Sequence, residues 1–188
     1  MKLNIYVISH PIIQILNNNT QNHHVIESLR IQNESKIMLF LMYEILRKLI
    51  EINNIYIHKL NNIHQLTIMN SQQQNYIITN IINNYNLLKE IYETFPQTYI
   101  KHYNINSNLE YTINKIENIN EKTNIIIIEK YLKEDHIINL IKDITNNIKI
   151  KEKQITIACI TCTDQILEKI SQYYKEINLY TTHIIYNR

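Results

Sequence analysis

The chain has 188 residues, enough for one domain with a sizeable core. A net charge of +2 is too small to imply nucleic acid or a charged membrane surface as partner. Two cysteines exclude a disulfide scaffold, and no apolar run approaches the roughly 18 residues of a membrane-spanning helix.

The sequence contains no glycine and no tryptophan. Globular proteins average about 7% Gly, so roughly a dozen glycines are missing. Isoleucine and asparagine in excess with glycine absent is what a strongly A+T-biased genome writes, so the expected setting is an organelle, a plastid stroma first. Asparagine can take some of glycine's left-handed turn positions, but it cannot let a ligand approach the backbone as closely as glycine does.

In chain order, residues 3–8 read as a first strand ended by His10-Pro11. No small-residue cleavage site follows the charged, apolar start, so it does not read as a signal peptide. Residues 17–24 are polar and expected to be a loop. A long helical pattern runs over 25–52, apolar on nearly all sides from Ile37 to Met42. Residues 54–58 and 63–69 are short β-type runs about a Leu60-Asn61-Asn62 turn, a hairpin pattern. A strand is expected over 76–82. Asn83, Asn84 and Asn86 then read as a capping turn for a helix over 87–94, which Pro96 closes before a strand over 99–103. Residues 104–121 are polar and irregular, with a possible strand at 110–116.

The stretch 123–144 is the most structured part of the pattern. Ile125 to Ile128 is an unbroken apolar run, as for a strand buried on both faces of a parallel sheet. Glu129 to Asp135 reads as a charged connection. Ile137, Ile138, Leu140, Ile141 and Ile144 then follow helical spacing. Strand, loop and helix in that order place the loop at the carboxyl edge of the sheet, where α/β folds bind ligands and helix N-termini attract phosphate. A strand over 154–160, a helix over 164–174 with Asp164 as its cap, and a last strand over 177–186 complete the chain. One α/β domain over 1–188 is expected.

Other groupings read as structural. Cys159 and Cys162 have redox-pair spacing, yet they sit at the end of an expected strand rather than at a helix N-terminus. Three residues apart in a strand, they should face opposite sides and serve as small core residues. The eight histidines include adjacent His23-His24, and His58 and His64 about the turn, but none has zinc-ligand spacing.

The unit at 125–137 resembles phosphoribosyltransferases. These carry an apolar strand ending in an acid, then a loop Pro-x-Leu-Ala-Thr-Gly-Gly-Ser that holds the 5′-phosphate of phosphoribosyl pyrophosphate (PRPP). Glu129 stands at the acid and Leu132 at the loop leucine. Lys130 replaces the proline, and Lys133-Glu134-Asp135-His136-Ile137 replaces Ala-Thr-Gly-Gly-Ser. The resemblance is to uracil phosphoribosyltransferases in particular. His10-Pro11-Ile12 is similar to their His-Pro-Leu segment, and Leu41-Met42-Tyr43-Glu44 to their Leu-x-Tyr-Glu. Measured back from Pro96, Ile82 stands at the arginine that contacts pyrophosphate, while Asn84 and Asn86 stand at two glycines. No counterpart of the uracil-binding loop Tyr-Ile-x-Pro-Gly-x-Gly-Asp is found before Arg188.

The resemblance implies a mainly parallel sheet flanked by helices with a small β-hairpin addition. It also implies the family reaction, uracil and PRPP to UMP and pyrophosphate in pyrimidine salvage, with Mg²⁺ assisting. With the phosphate loop, the arginine segment and the uracil loop altered or missing, the expectation is a pseudoenzyme. It would need no cofactor and be kept as a homodimer or for another protein partner. The alternative is an active glycosyltransferase with unusual PRPP contacts, in which case Glu129 would meet the ribose hydroxyls. Lys130, Lys133 and His136 are then the substitute anion site, with Mg²⁺ and PRPP bound. Against it stand Glu129, Glu134 and Asp135. Unit charges 4 Å apart interact by about 1 kcal/mol in water and about 4 kcal/mol at an effective dielectric of 20. Acids in a first turn also suit a helix start without ligand.

Overall fold

The computed structural model describes residues 3–22, 25–60, 62–95, 98–104, 119–148 and 150–186. In chain order the elements are β1 (Asn4–Val7), α1 (Pro11–Gln21), α2 (Glu27–Leu49), β2 (Ile52–His58), β3 (Ile63–Met69) and β4 (Gln74–Thr79). There follow α3 (Ile81–Thr94), β5 (Thr98–His102), β6 (Thr123–Leu132), α4 (His136–Ile148), β7 (Ile155–Thr163), α5 (Asp164–Tyr173) and β8 (Asn178–Ile185). Six strands form one sheet in the order β1-β8-β7-β6-β4-β5, each neighbouring pair parallel. β2 and β3 pair antiparallel as a separate hairpin. The expected mainly parallel sheet flanked by helices, with a small hairpin addition, is therefore what the chain forms.

The reason lies in the strands. Ile125, Ile126, Ile127 and Ile128 are all fully buried, alternating between two cores. Ile125 and Ile127 pack with Ile137, Leu140, Ile141 and Ile144 of α4. Ile126 and Ile128 pack with Ile37, Leu41 and Ile45 of α2. A strand apolar on both faces requires helices on both faces. The crossover rule decides which helix goes where. The sheet is laid down in one direction from β4 to β5 and in the other from β6 through β8. Right-handed connections then place α3 on one face and α4 and α5 on the other. The point of reversal, between β4 and β6, opens a crevice at their carboxyl ends.

Several boundaries depart from the sequence expectation. The loop expected over 17–24 is helical as far as Gln21. His10-Pro11 starts a helix as well as ending β1: His10 Nδ1 accepts the Ile12 N–H at 3.2 Å, and Pro11 occupies the first turn, where its missing N–H costs nothing. Buried Ile13 holds this helix against α2. The strand expected over 76–82 ends at Thr79, and α3 starts at Ile81 rather than 87. Its cap is Asn80, whose Oδ1 accepts from the Asn83 N–H at 3.3 Å, so Asn83, Asn84 and Asn86 lie inside the helix instead of capping it. β6 runs on through Leu132, so most of the expected charged connection is strand. Asp164 is the first residue of α5 and Thr163 its cap; the Asp164 carboxylate accepts the Gln165 N–H at 2.8 Å. Cys159 and Cys162 are both free, both buried and both in the core beneath α4 and α5, not on opposite faces. Between them Ile160 faces the α2 side and Thr161 lines a cavity beside α1 and α2, so one alternation of the strand is skipped. The possible strand at 110–116, His23-His24 and Pro96 lie outside the described residues. No described helix is long and apolar enough to cross a membrane.

Candidate functional site

The crevice at the switch point is formed by the ends of β4 and β6, the start of α3, the residue after β5 and the start of α4. Glu129 stands at its centre, near the end of β6 and largely buried, with 13% of its side chain exposed. Its Oε1 receives the hydroxyl of Tyr103, which follows β5 two strands away. Its Oε2 lies 3.5 Å from the amide nitrogen of Asn84 on α3. That same amide donates at 2.9 Å to Thr79 Oγ1, and the Thr79 hydroxyl donates at 2.7 Å to the Ile128 carbonyl. Asn84 reaches these partners from a kink in α3, with φ −114° and ψ 15°. His102 adds a further tie, its Nδ1 accepting the Ile81 N–H at 3.1 Å.

His136 closes the crevice from α4. Its Nε2 is 3.8 Å from Glu129 Oε1 and its Nδ1 is 3.3 Å from Glu134 Oε2. These are charge contacts, because neither buried ring nitrogen makes a hydrogen bond of good geometry. The Glu129 carboxylate raises the imidazole pKa above its ordinary value. Burial opposes that rise, and the nearby charge of Glu134 adds to it. Tyr103 is pushed the same way, first by burial and then by the Glu129 charge, so its phenol stays protonated and serves as donor. The result is a carboxylate surrounded by donors and a cation-prone ring from its own chain.

The other residues singled out from the sequence are not gathered here. Lys130 faces the opposite side of the sheet and binds Glu34 of α2 at 2.6 Å. Lys133 is exposed, its Nζ 5.4 Å from the Tyr131 ring. Asp135 binds Lys169 of α5 at 2.7 Å. Ile82 and Asn86 point to solvent from α3. Of the nine, Glu129, Asn84, His136 and Glu134 meet; Lys130, Lys133 and His136 do not converge on one anion. Tyr103 and Thr79 were missed, since each reads as an ordinary strand-end residue until the parallel pairing brings β5, β4 and β6 side by side. No group of three or more described His, Cys, Asp or Glu side chains could hold a metal ion.

No protein-family model matches the sequence, and no curated protein matches it. Among solved structures the chain is similar to "Structure of AQ2163 protein from Aquifex aeolicus", with 13% identity, 97% of this chain and 88% of that chain covered, and a TM-score of 0.73. It is also similar to a hypoxanthine-guanine-xanthine phosphoribosyltransferase, with 14% identity over 84% of this chain and 77% of that chain, at a TM-score of 0.45. The first likeness extends over almost the whole chain and establishes that the fold is shared.

Proposed function

We propose that this protein is a non-catalytic relative of the uracil phosphoribosyltransferases, retained to associate with itself or with another protein. The observation that carries the reading is the engagement of Glu129. The carboxylate that a ribose would need is taken up by Tyr103, with Asn84 and His136 beside it. A sugar hydroxyl arriving there would have to displace intramolecular partners already in place.

The surroundings support the same reading. A phosphate at the start of α4 would meet the Glu134 and Asp135 carboxylates, and Lys169 is committed to Asp135. Lys130, on the far face, is committed to Glu34. Ile82, at the position of the family's arginine, has neither charge nor donor and faces solvent. These residues do not fit PRPP or a Mg²⁺ ion on its pyrophosphate. Each positioned donor lost from such a site costs about 10²–10³ in rate, so several losses together remove the activity. The test is calorimetric titration of the purified protein with PRPP and Mg²⁺, followed by UMP. No heat at millimolar ligand is expected; binding at micromolar ligand would overturn the reading and restore an active transferase.

A further inference from the structure

Two neighbouring strands break their alternation at the same place. Lys130 of β6 and Ile160 of β7 face α2, as strand alternation requires of them. The next pair in register, Tyr131 and Thr161, stays on that side instead of crossing the sheet. Leu132 and Cys162 then return to the core beneath α4 and α5. Strand irregularities re-aim side chains and are concentrated beside sites. Here a cavity of about 300 Å³ lies at the carboxyl edge of the sheet, between those strands, the end of α1 and the start of α2. Thr20, Gln21, Arg30, Glu34, Tyr131 and Thr161 are in its wall, and none of them belongs to the crevice around Glu129.

The charged groups of this wall are only half engaged. Glu34 is more than nine-tenths buried, and its Oε2 pairs with Lys130 at 2.6 Å. Its Oε1 has no hydrogen-bond partner among the described residues. Arg30 stands one helical turn before Glu34, so the two side chains are neighbours on α2. Its Nη2 meets the exposed Glu27 at 3.3 Å, while its Nε has no partner among the described residues. Buried polar atoms in native proteins are nearly always paired. Both unpaired atoms belong to side chains that line the cavity, so a guest there is placed to supply what they lack.

We infer that this cavity binds a small zwitterion of the α-amino-acid class with an uncharged side chain. Glu34 Oε1 calls for a donor, and an ammonium group brings three. The Arg30 guanidinium calls for a planar acceptor, and a carboxylate matches its fork. An α-amino acid carries both groups on one carbon, close enough together to meet two residues one helical turn apart. Charge balance points the same way. Glu34 with Lys130 and Arg30 with Glu27 are each neutral pairs, so a guest of net charge would leave that charge uncompensated. Giving up the Glu27 contact costs little, because exposed ion pairs contribute little. The inference goes beyond the non-catalytic reading and does not rest on it, since the two sites share no residue.

Isothermal titration calorimetry of the purified full chain tests it, with L-alanine, L-serine, L-threonine, L-valine and L-glutamine each as probe. At least one is expected to bind with Kd below about 1 mM. The amine lacking its carboxylate and the acid lacking its amine are each expected to bind at least about tenfold more weakly, as for a lost charge-assisted contact. Arg30→Gln and Glu34→Gln are expected to raise Kd by the same factor. Arg30 is 42% exposed, so its variant should keep the circular dichroism of the wild type. If Glu34→Gln fails to fold, the acid lacking the amine reads the same contact without a substitution. A Kd above about 1 mM for every probe overturns the proposal. So does a one-charge analogue that binds as tightly as the amino acid, or an Arg30→Gln variant with unchanged Kd.

Discussion

Tyr103 and Glu129, 26 residues apart in sequence, meet across the sheet with β4 lying between the strands that carry them. The phenol is almost entirely buried and the carboxylate nearly so, at 1% and 13% exposure. In such surroundings a charge is tolerated only when donors surround it. The contact therefore ties the edge strand β5 to the central strand β6 by chemistry rather than by backbone pairing, and it occupies the centre of the switch-point crevice.

Removing the donor exposes how much this contact is worth. Tyr103→Phe keeps the ring packing but leaves Glu129 with one fewer donor, and a hydrogen bond to a charged group contributes about 1.5–3 kcal/mol. Urea unfolding should show a loss of that size with an unchanged m-value. A loss under about 0.5 kcal/mol would mean that water or Asn84 takes over.

His136 makes stability depend on pH with a definite sign. Its pKa in the folded state is raised, chiefly by Glu129. The stabilisation is therefore fully present below the unfolded imidazole value near 6.5 and is lost as pH rises through the folded pKa. Thermal melts in steps from pH 5.5 to 9 should show the melting temperature falling over that window. His136→Gln should flatten the dependence there. Tyr103 adds nothing in this range, because its raised pKa costs stability only above the unfolded tyrosine value near 10.

Lys130 predicts a structural cost with no link to ligand. Glu34 is 5% exposed, its Oε1 has no hydrogen-bond partner, and its Oε2 rests on Lys130 at 2.6 Å. Breaking a buried pair by removing one partner costs about 3–5 kcal/mol. Lys130 is 28% exposed, so Lys130→Met should cost about 3 kcal/mol, the low end of that range. Much of this should be recovered in Lys130→Met/Glu34→Leu, as measured in a double-mutant cycle by chemical unfolding.

Ile82 tests whether a single added charge brings PRPP binding. The side chain is 79% exposed, so Ile82→Arg should change stability by no more than about 0.5 kcal/mol. With Glu129 still engaged, the variant should bind PRPP no better than the wild type in calorimetry. Micromolar binding would overturn the proposed non-catalytic reading.

Legibility followed contact range. The unbroken Ile125–Ile128 run, the spacing of Ile137, Leu140, Ile141 and Ile144, and the two β runs about residue 60 each recorded a local period, and each forms the element expected. The errors lay where side-chain chemistry competes with period. His10 and Asn80 capped helices at positions read as a strand end and as strand. The acids and lysines after Ile128 were read as loop, although pairing with β7 carries the strand on to Leu132. Of the candidate site, Glu129 and His136 were visible because they fall at a strand end and a helix start. Tyr103 and Thr79 carried no comparable signal.

By itself, then, the alternation of apolar strand runs with helical periods determined a parallel, two-faced sheet with flanking helices, because isoleucine on both sides of a strand must be covered on both faces. It also determined that no glycine cradle could form around a phosphate, since the chain contains no glycine. Only the tertiary structure decided where the charges went. Glu129 turned toward Tyr103, Asn84 and His136, while the next residue, Lys130, turned through the sheet to Glu34. Neighbours in a strand point to opposite faces, and what each meets there depends on elements dozens of residues away that only the strand order brings into place.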